Sequence, residues 1–252
     1  MKIPTLIILS ASVALTSSLS AQATFDYNFT GDGSTDLHGV DGWIVGTASS
    51  SIKTDGSTSG SNGAVIAYDF GSGVYETSTY VDMSAASGNN FAAGLFFTNS
   101  DPVVGGYVTN SVSPFGTFGI RGNGNLQFWS GEGTAGGVAA GNISNFGYDS
   151  ATNADMIGLL RVVLDTTVSN WTISAFYTPS TGTEFQVDLN GAASGAEYTY
   201  AVNPDNFTGA GIMWSAGGAN FDSYSLVPES SSSALLGGVV ALMCLAMRRR
   251  VR

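Results

Sequence analysis

Of the 252 residues only one is cysteine, Cys244, and only one is histidine, His38. Disulfide scaffolds, thiolate zinc sites and His-paired metal centres are thereby excluded, and a Ser-His-Asp triad would hang on one histidine in a glycine-rich loop. Basic residues are equally scarce. Eight Lys and Arg face nineteen Asp and Glu, and five of the eight (Lys2, Arg248, Arg249, Arg250, Arg252) sit in the terminal segments. From Thr24 to Pro228 three basic residues, Lys53, Arg121 and Arg161, stand against eighteen carboxylates, a net charge of −15. Such a surface repels nucleic acid and anionic lipid, so nucleic-acid binding is set aside. No stretch of this interior keeps a 3.6-residue apolar period for three turns, so helices are expected to be minor.

What is abundant is glycine, 34 residues against six prolines, together with Ser, Thr, Asn and aromatics. That composition describes short strands joined by tight turns rather than disorder. Apolar or alternating runs recur at Phe25–Phe29, Ala64–Phe70, Val74–Asp82, Phe91–Thr98, Phe115–Arg121, Leu126–Trp129, Leu159–Asp165, Trp171–Tyr177, Glu197–Val202, Ala210–Trp214 and Phe221–Val227. Each is expected to be a strand. Gly122-Asn123-Gly124-Asn125 and Thr166–Asn170 supply two hairpin turns. In the second hairpin Leu160, Val162 and Leu164, with Trp171, Ile173, Ala175 and Tyr177, fall on one inward face. Ten or more such strands predict an all-β, two-sheet antiparallel jelly-roll sandwich over residues 24–226, closed by pairing of the first strand with the last.

The two ends carry an address. Lys2 precedes an apolar run from Ile3 to Leu15, and small residues lead to Ala21-Gln22-Ala23, the pattern of a removable secretory signal over residues 1–23. At the other end, residues 227–252, Val227-Pro228-Glu229 is followed by four serines, the apolar stretch Ala234 to Met247 and the cluster Arg248-Arg249-Arg250. Fourteen helical residues reach about 21 Å against a hydrocarbon core of about 30 Å, which makes a short transmembrane helix and a marginal permanent anchor. The arginines would stay on the cytoplasmic side and leave the domain facing outward. This tripartite tail resembles the PEP-CTERM sorting signal, with Ser230 where that motif has its second proline. The resemblance implies a membrane protease of the exosortase type as partner, an envelope or extracellular location and an exopolysaccharide-rich setting. Phe25-Asp26-Tyr27-Asn28-Phe29 at the start, and Ala219 to Leu226 at the close, make the domain similar to concanavalin A-like (LamG-like) sandwiches.

No Glu-x-Asp-x-x-Glu run is present to set a nucleophile and an acid on one strand face. No phosphate-binding glycine motif stands between a strand and a helix. A non-enzymatic surface protein that binds glycans or adheres is therefore the expected function. A polysaccharide-active enzyme on the same fold and a purely structural coat protein are the alternatives. For the ligand site Trp129, beside a turn, offers a ring for a sugar face. For Ca²⁺ two oxygen-rich sets are candidates: Asp32 and Asp36 in the loop Gly31–Gly42, and Asp26 with Asp222, brought together by terminal-strand pairing.

Overall fold

The computed structural model describes residues 23–46, 51–99, 116–132, 138–190, 196–204, 207–215 and 218–229. The expected secretory signal up to residue 22 and the expected sorting tail from Ser230, with Arg248, Arg249 and Arg250, lie outside the described residues.

The strands in chain order are β1 (Phe25–Asn28), β2 (Trp43–Val45), β3 (Ser51–Ile52), β4 (Thr58–Ser59), β5 (Asn62–Ala67), β6 (Val74–Asp82), β7 (Phe91–Thr98) and β8 (Gly116–Arg121). They continue with β9 (Asn125–Trp129), β10 (Val138–Asn142), β11 (Ile157–Asp165), β12 (Thr172–Pro179), β13 (Phe185–Gln186), β14 (Tyr198–Thr199), β15 (Gly209–Trp214) and β16 (Asn220–Glu229). The first sheet runs β1-β16-β6-β11-β12-β13, with β14 also on β12, and the second runs β10-β9-β8-β7-β15-β5-β2. All their pairings are antiparallel. Among the described residues the helical elements are two single 3₁₀ turns, Ile143–Phe146 and Asn153–Met156. The all-β sandwich expected from composition and spacing is the observed architecture.

Alternation dictates the layers. In β11 and β12 buried and half-buried residues alternate without a break, so Leu160, Val162, Leu164, Ile173, Ala175 and Tyr177 point inward. Leu95, Phe97, Phe118, Phe128, Ile212 and Trp214 of the second sheet belong to the same core. The second sheet also carries a smaller apolar cluster of Val65, Phe91, Phe96 and Met213, against which Ile44 and Trp129 pack. This cluster explains why β7 and β15 are buried along their whole length rather than alternately. Gly119 is needed there, since a Cβ would lie 1.8 Å from the Phe91 ring.

Five strands escaped the sequence reading. β3, β4 and β13 are two residues long, too short for any alternation to register. β2 has three residues, held by its register with β5. β10 is written in Ala and Gly, which carry weak strand preference, and is held by β9.

The first and last strands pair in the register Phe25↔Leu226 to Asn28↔Ser223. β16 does not stop at Leu226, however. Val227, Pro228 and Glu229 continue it, opposite Glu76, Tyr75 and Val74 of β6. The expected boundary between domain and tail therefore falls inside a strand. β1 begins opposite Leu226, so the last three residues of β16 have a strand partner on one side only, a position that tolerates proline.

Candidate functional site

At the Asn220 end of the first sheet the ladder hands over to a loop. Phe29 N–H donates to the Asp222 carbonyl, the chain turns at Thr30, and Gly31 N–H donates to the Thr54 carbonyl at 3.0 Å. Gly31 must lack a side chain, because a Cβ would sit 2.0 Å from Thr54 Oγ1. Leu37, fully buried, pins the far side of the loop into the core, and its N–H donates to the Ile52 carbonyl. Between these fixed points lies a shallow open recess of about 520 Å³, lined by Thr30, Gly31, Asp32, Thr35, Val40 and Thr54.

Two Asp-Gly-Ser tripeptides shape its acidic edge. Asp32 Oδ1 accepts from Ser34 N–H at 3.0 Å and from Ser34 Oγ at 2.8 Å. Asp55 Oδ1 accepts from Ser57 N–H at 3.0 Å and from Ser57 Oγ at 2.6 Å. Each intervening glycine has a left-handed backbone, φ 70° at Gly33 and 80° at Gly56, which a side chain would strain. The second Asp55 oxygen lies against Gly33, where a Cβ would come within 2.5 Å of it. The Ser34 backbone N–H, followed by its hydroxyl, holds the Asp32 carboxyl below the usual carboxylate range. The Ser57 hydroxyl, followed by its N–H, does the same for Asp55, against a small opposing push from burial and from Asp32. Both groups are thus anions at neutral pH, each with an oxygen free of its Ser partner. With the threonine hydroxyls and the apolar Val40 beside them, the recess offers fixed acceptors, donors and a small apolar patch.

No family model and no curated protein matches this chain. Solved structures do. Lectin I-B4 of Griffonia simplicifolia, in its metal-free form, superposes with a TM-score of 0.50 at 12% identity, covering 82% of this chain and 100% of that one. The fold is shared with a plant lectin. A lectin of Bauhinia forficata gives 0.49 at 11% identity over 82% and 97% of the two chains. An engineered GH43 glycoside hydrolase gives 0.48 at 12% over 85% of this chain and 42% of that one. At such identities the likeness concerns the fold and carries over no site residue.

Within this lectin-type sandwich the residues singled out from sequence fare differently. Asp32 lines the recess, but Asp36 turns away to an ion pair with Lys53 at 2.6 Å. The expected Asp32–Asp36 ligand pair is therefore not formed, because the Asp36↔Lys53 bridge puts the loop in register with β3. The terminal strands do pair, yet Asp26 sits opposite Ser225, whose Oγ donates to it at 2.5 Å, while Asp222 is level with Phe29. Three residues of offset amount to about 10 Å, so Asp26 and Asp222 do not form a joint ligand set either. Among the described residues no group of three or more His, Cys, Asp or Glu is placed to hold a metal ion. Trp129 is half-buried, with its ring 5.4 Å from Phe91, and covers the smaller apolar cluster rather than standing free as a platform. His38 is exposed, and its Nδ1 accepts from Val45 N–H. Glu184, isolated in sequence apart from Asp188, is the bidentate partner of Arg161, which also reaches Glu76 and lies 3.9 Å over the Phe176 ring.

Sequence reasoning missed Asp55 and Thr54. The signal was present as the repeated tripeptide Asp32-Gly33-Ser34 and Asp55-Gly56-Ser57, two turns of one chemistry 23 positions apart.

Proposed function

We propose that this chain is an exported, surface-tethered, non-enzymatic protein whose sandwich binds glycans through the Thr30–Thr54 recess. The observation that carries the reading is the paired acidic turn. Asp32, locked as an anion, lines an open space of about 520 Å³ with the threonine hydroxyls and Val40, and Asp55, the anion of the second turn, lies against Gly33 beside it. Vicinal sugar hydroxyls donate to fixed carboxylates, and a sugar's C–H face packs on a small aliphatic side chain. The volume falls within the usual range for small-molecule sites, roughly 300–1,000 Å³. The lectin identity of the superposable Griffonia protein agrees with this use of the fold.

The address follows from the ends: a secretory signal up to Ala23, then a tail in which Val227, Pro228 and Glu229 with Arg248, Arg249 and Arg250 are recognised by an exosortase-type protease. The apolar stretch Ala234–Met247 holds the chain in the membrane until that step, and exopolysaccharide is the partner outside.

The test is a glycan array, run with and without Ca²⁺, on the exported protein and on its Asp32→Ala/Asp55→Ala variant. The wild type is expected to retain at least one polysaccharide without cleaving it, and the variant to lose that retention at least tenfold while still unfolding cooperatively, at a somewhat lower melting temperature. Equal binding by both proteins removes the recess from the reading, and chain cleavage removes the non-enzymatic assignment. For the sorting step, mass spectrometry of the surface form is expected to lack Arg252.

A further inference from the structure

The sandwich has a distinct end at which the chain leaves it. Glu229, Val74, Asp165, Thr172 and Thr199 lie in one cross-strand row over β16, β6, β11, β12 and β14. β1 begins at the same end, where Tyr68 Oη donates to the Ala23 carbonyl. Beyond that row project the β11–β12 turn and the segment after β14. These carry Val168, 43% exposed, and Val202, 70% exposed, the only large apolar side chains among the described residues that are exposed. Both lie at the end from which the tail departs.

These two loops form one braced platform. Asn203 Nδ2 donates to the Ser169 carbonyl, Asn203 Oδ1 accepts from Trp171 N–H, and Asn170 Nδ2 donates to the Tyr200 carbonyl. Thr166 Oγ1 ties the same turn to Gly71 and Gly73, and Glu132 holds the Val202 N–H at 2.8 Å. Of the acidic groups nearby, Asp165 is turned to Thr167 and Glu132 to Tyr198, while Glu229 in the row itself and Asp69 beside Gly71 are exposed, which favours a zwitterionic over an anionic lipid surface. Lys53 and Arg121 belong to other parts of the sandwich, and Arg161 is engaged on the sheet face.

Between Glu229 and the apolar stretch that opens at Ala234 stand four serines. Four residues reach at most about 14 Å when fully extended. We infer that, while the tail is inserted, this end of the sandwich is seated on the bilayer, with Val168 and Val202 in the headgroup layer of a zwitterionic lipid surface. This rests on the tethering reading above. It also fixes orientation, because the recess lies beside Asp222, seven residues or about 23 Å along β16 from Glu229, and so faces away from the membrane.

The experiment uses the full chain, purified from a host without the sorting protease and reconstituted in phosphatidylcholine vesicles. A fluorophore is placed in turn on native Cys244, and on Val168→Cys, Val202→Cys or Ser144→Cys, each combined with Cys244→Ser. Ser144 lies beside the β8–β9 turn, at the opposite end. Spin-labelled lipids carry the quencher either at the headgroup or mid-chain. The expected result is mid-chain quenching at Cys244, headgroup quenching at positions 168 and 202, and none at 144. Cys244 quenched with 168 and 202 no more affected than 144 overturns the seating while leaving the tether intact. Cys244 unquenched overturns the tether, and the seating with it.

Discussion

Replacing Glu132 by alanine is expected to loosen the join between the two sheets at the end where the chain departs. Glu132 follows β9 of the second sheet, yet its carboxylate is spent on the first. It accepts from Tyr198 Oη at 2.5 Å, from Ala201 N–H at 3.2 Å and from Val202 N–H at 2.8 Å. A hydrogen bond to a charged acceptor contributes about 1.5–3 kcal/mol when enclosed, and less where water competes. The tyrosine bond is partly buried and the two amide bonds are exposed, so about 1.5 kcal/mol for the first and roughly 0.5 for each of the others gives a total near 2.5 kcal/mol. In a domain of this size that corresponds to a fall in melting temperature of roughly 5–10 °C, readable by calorimetry. Glu132→Gln, which keeps one acceptor, is expected to lose about half as much, and Tyr198→Phe about 1 kcal/mol. The double variant Glu132→Ala/Tyr198→Phe is expected to fall short of additivity by about 1 kcal/mol. A shift under about 1 °C for Glu132→Ala, or strict additivity in the cycle, would refute the reasoning, because either result means the contact does not hold the two sheets together.

Three further outcomes follow from the same structure. Trp214 is fully buried and donates through Nε1 to the Ser59 carbonyl, whereas buried Trp43 has an Nε1 with no partner. Urea denaturation is therefore expected to find Trp214→Phe costlier than Trp43→Phe by about 1 kcal/mol, and the opposite order would sink the account. Gly56→Ala places a Cβ 1.7 Å from the Phe221 carbonyl oxygen at a φ of 80°, so it is expected to cost about 2 kcal/mol or more and to abolish glycan retention. With pH the two acidic turns and the buried tyrosines act at opposite limits. The lowered carboxyls of Asp32 and Asp55 add stability above the unfolded carboxylate value, about 3.9, and lose it as pH falls further, so the protection of the Ser34 and Ser57 amides relative to their intrinsic exchange rates should fall only in acid. Burial, aided by Glu132, raises Tyr198 to about 12, and burial first of all raises Tyr177, Tyr200 and Tyr224 too. A raised tyrosine stabilises the fold below the unfolded value of about 10 and loses that contribution as pH climbs, so melting temperature is expected to be flat through neutrality and to drop above about pH 10.

Strand positions were legible wherever an apolar or alternating run was long enough to register, and facing wherever the run alternated. Val74–Asp82 and Phe91–Thr98 were delimited correctly, and the inward faces of Leu160, Val162 and Tyr177 followed from period two alone. Of the strands with two or three residues, β14 fell within the expected run Glu197–Val202, but β2, β3, β4 and β13 were not legible, because their conformation comes from the neighbour they pair with and not from their own sequence. The recess was half legible. Asp32 could be found as an oxygen-rich loop residue, but its companion Asp55 is 23 positions away and meets it only because Gly31 and Leu37 bond to Thr54 and Ile52 across the loop. The same bridging draws Asp36 to Lys53, a pairing no spacing rule would single out. Trp129 shows the reverse failure. A tryptophan beside a turn reads as exposed, but the second sheet keeps an apolar cluster under it that invites the ring to cover it.

That β16 runs on to Glu229 bears on how a membrane protease would reach the proposed sorting motif. Such an enzyme needs an extended substrate, and Val227, Pro228 and Glu229 are already extended but paired with Glu76, Tyr75 and Val74. Peeling three residue pairs from one side of an antiparallel ladder breaks about two or three backbone bonds, each contributing about 0.5–1.5 kcal/mol net. The opened state then lies about 2–4 kcal/mol above the closed one and is populated in about one molecule in thirty to one in a thousand. Fraying stops there, since Leu226 is fully buried and is gripped by both β1 and β6. Under the proposed sorting, processing would draw on a minor frayed population without unfolding the sandwich. Val74→Pro, at the first position of β6 and opposite Glu229, disturbs the end of this ladder without touching the tail, and is expected to raise the open fraction and hasten loss of Arg252 in a pulse-chase followed by mass spectrometry. An unchanged processing rate in a folded Val74→Pro protein would mean that the end of β16 does not gate the cut.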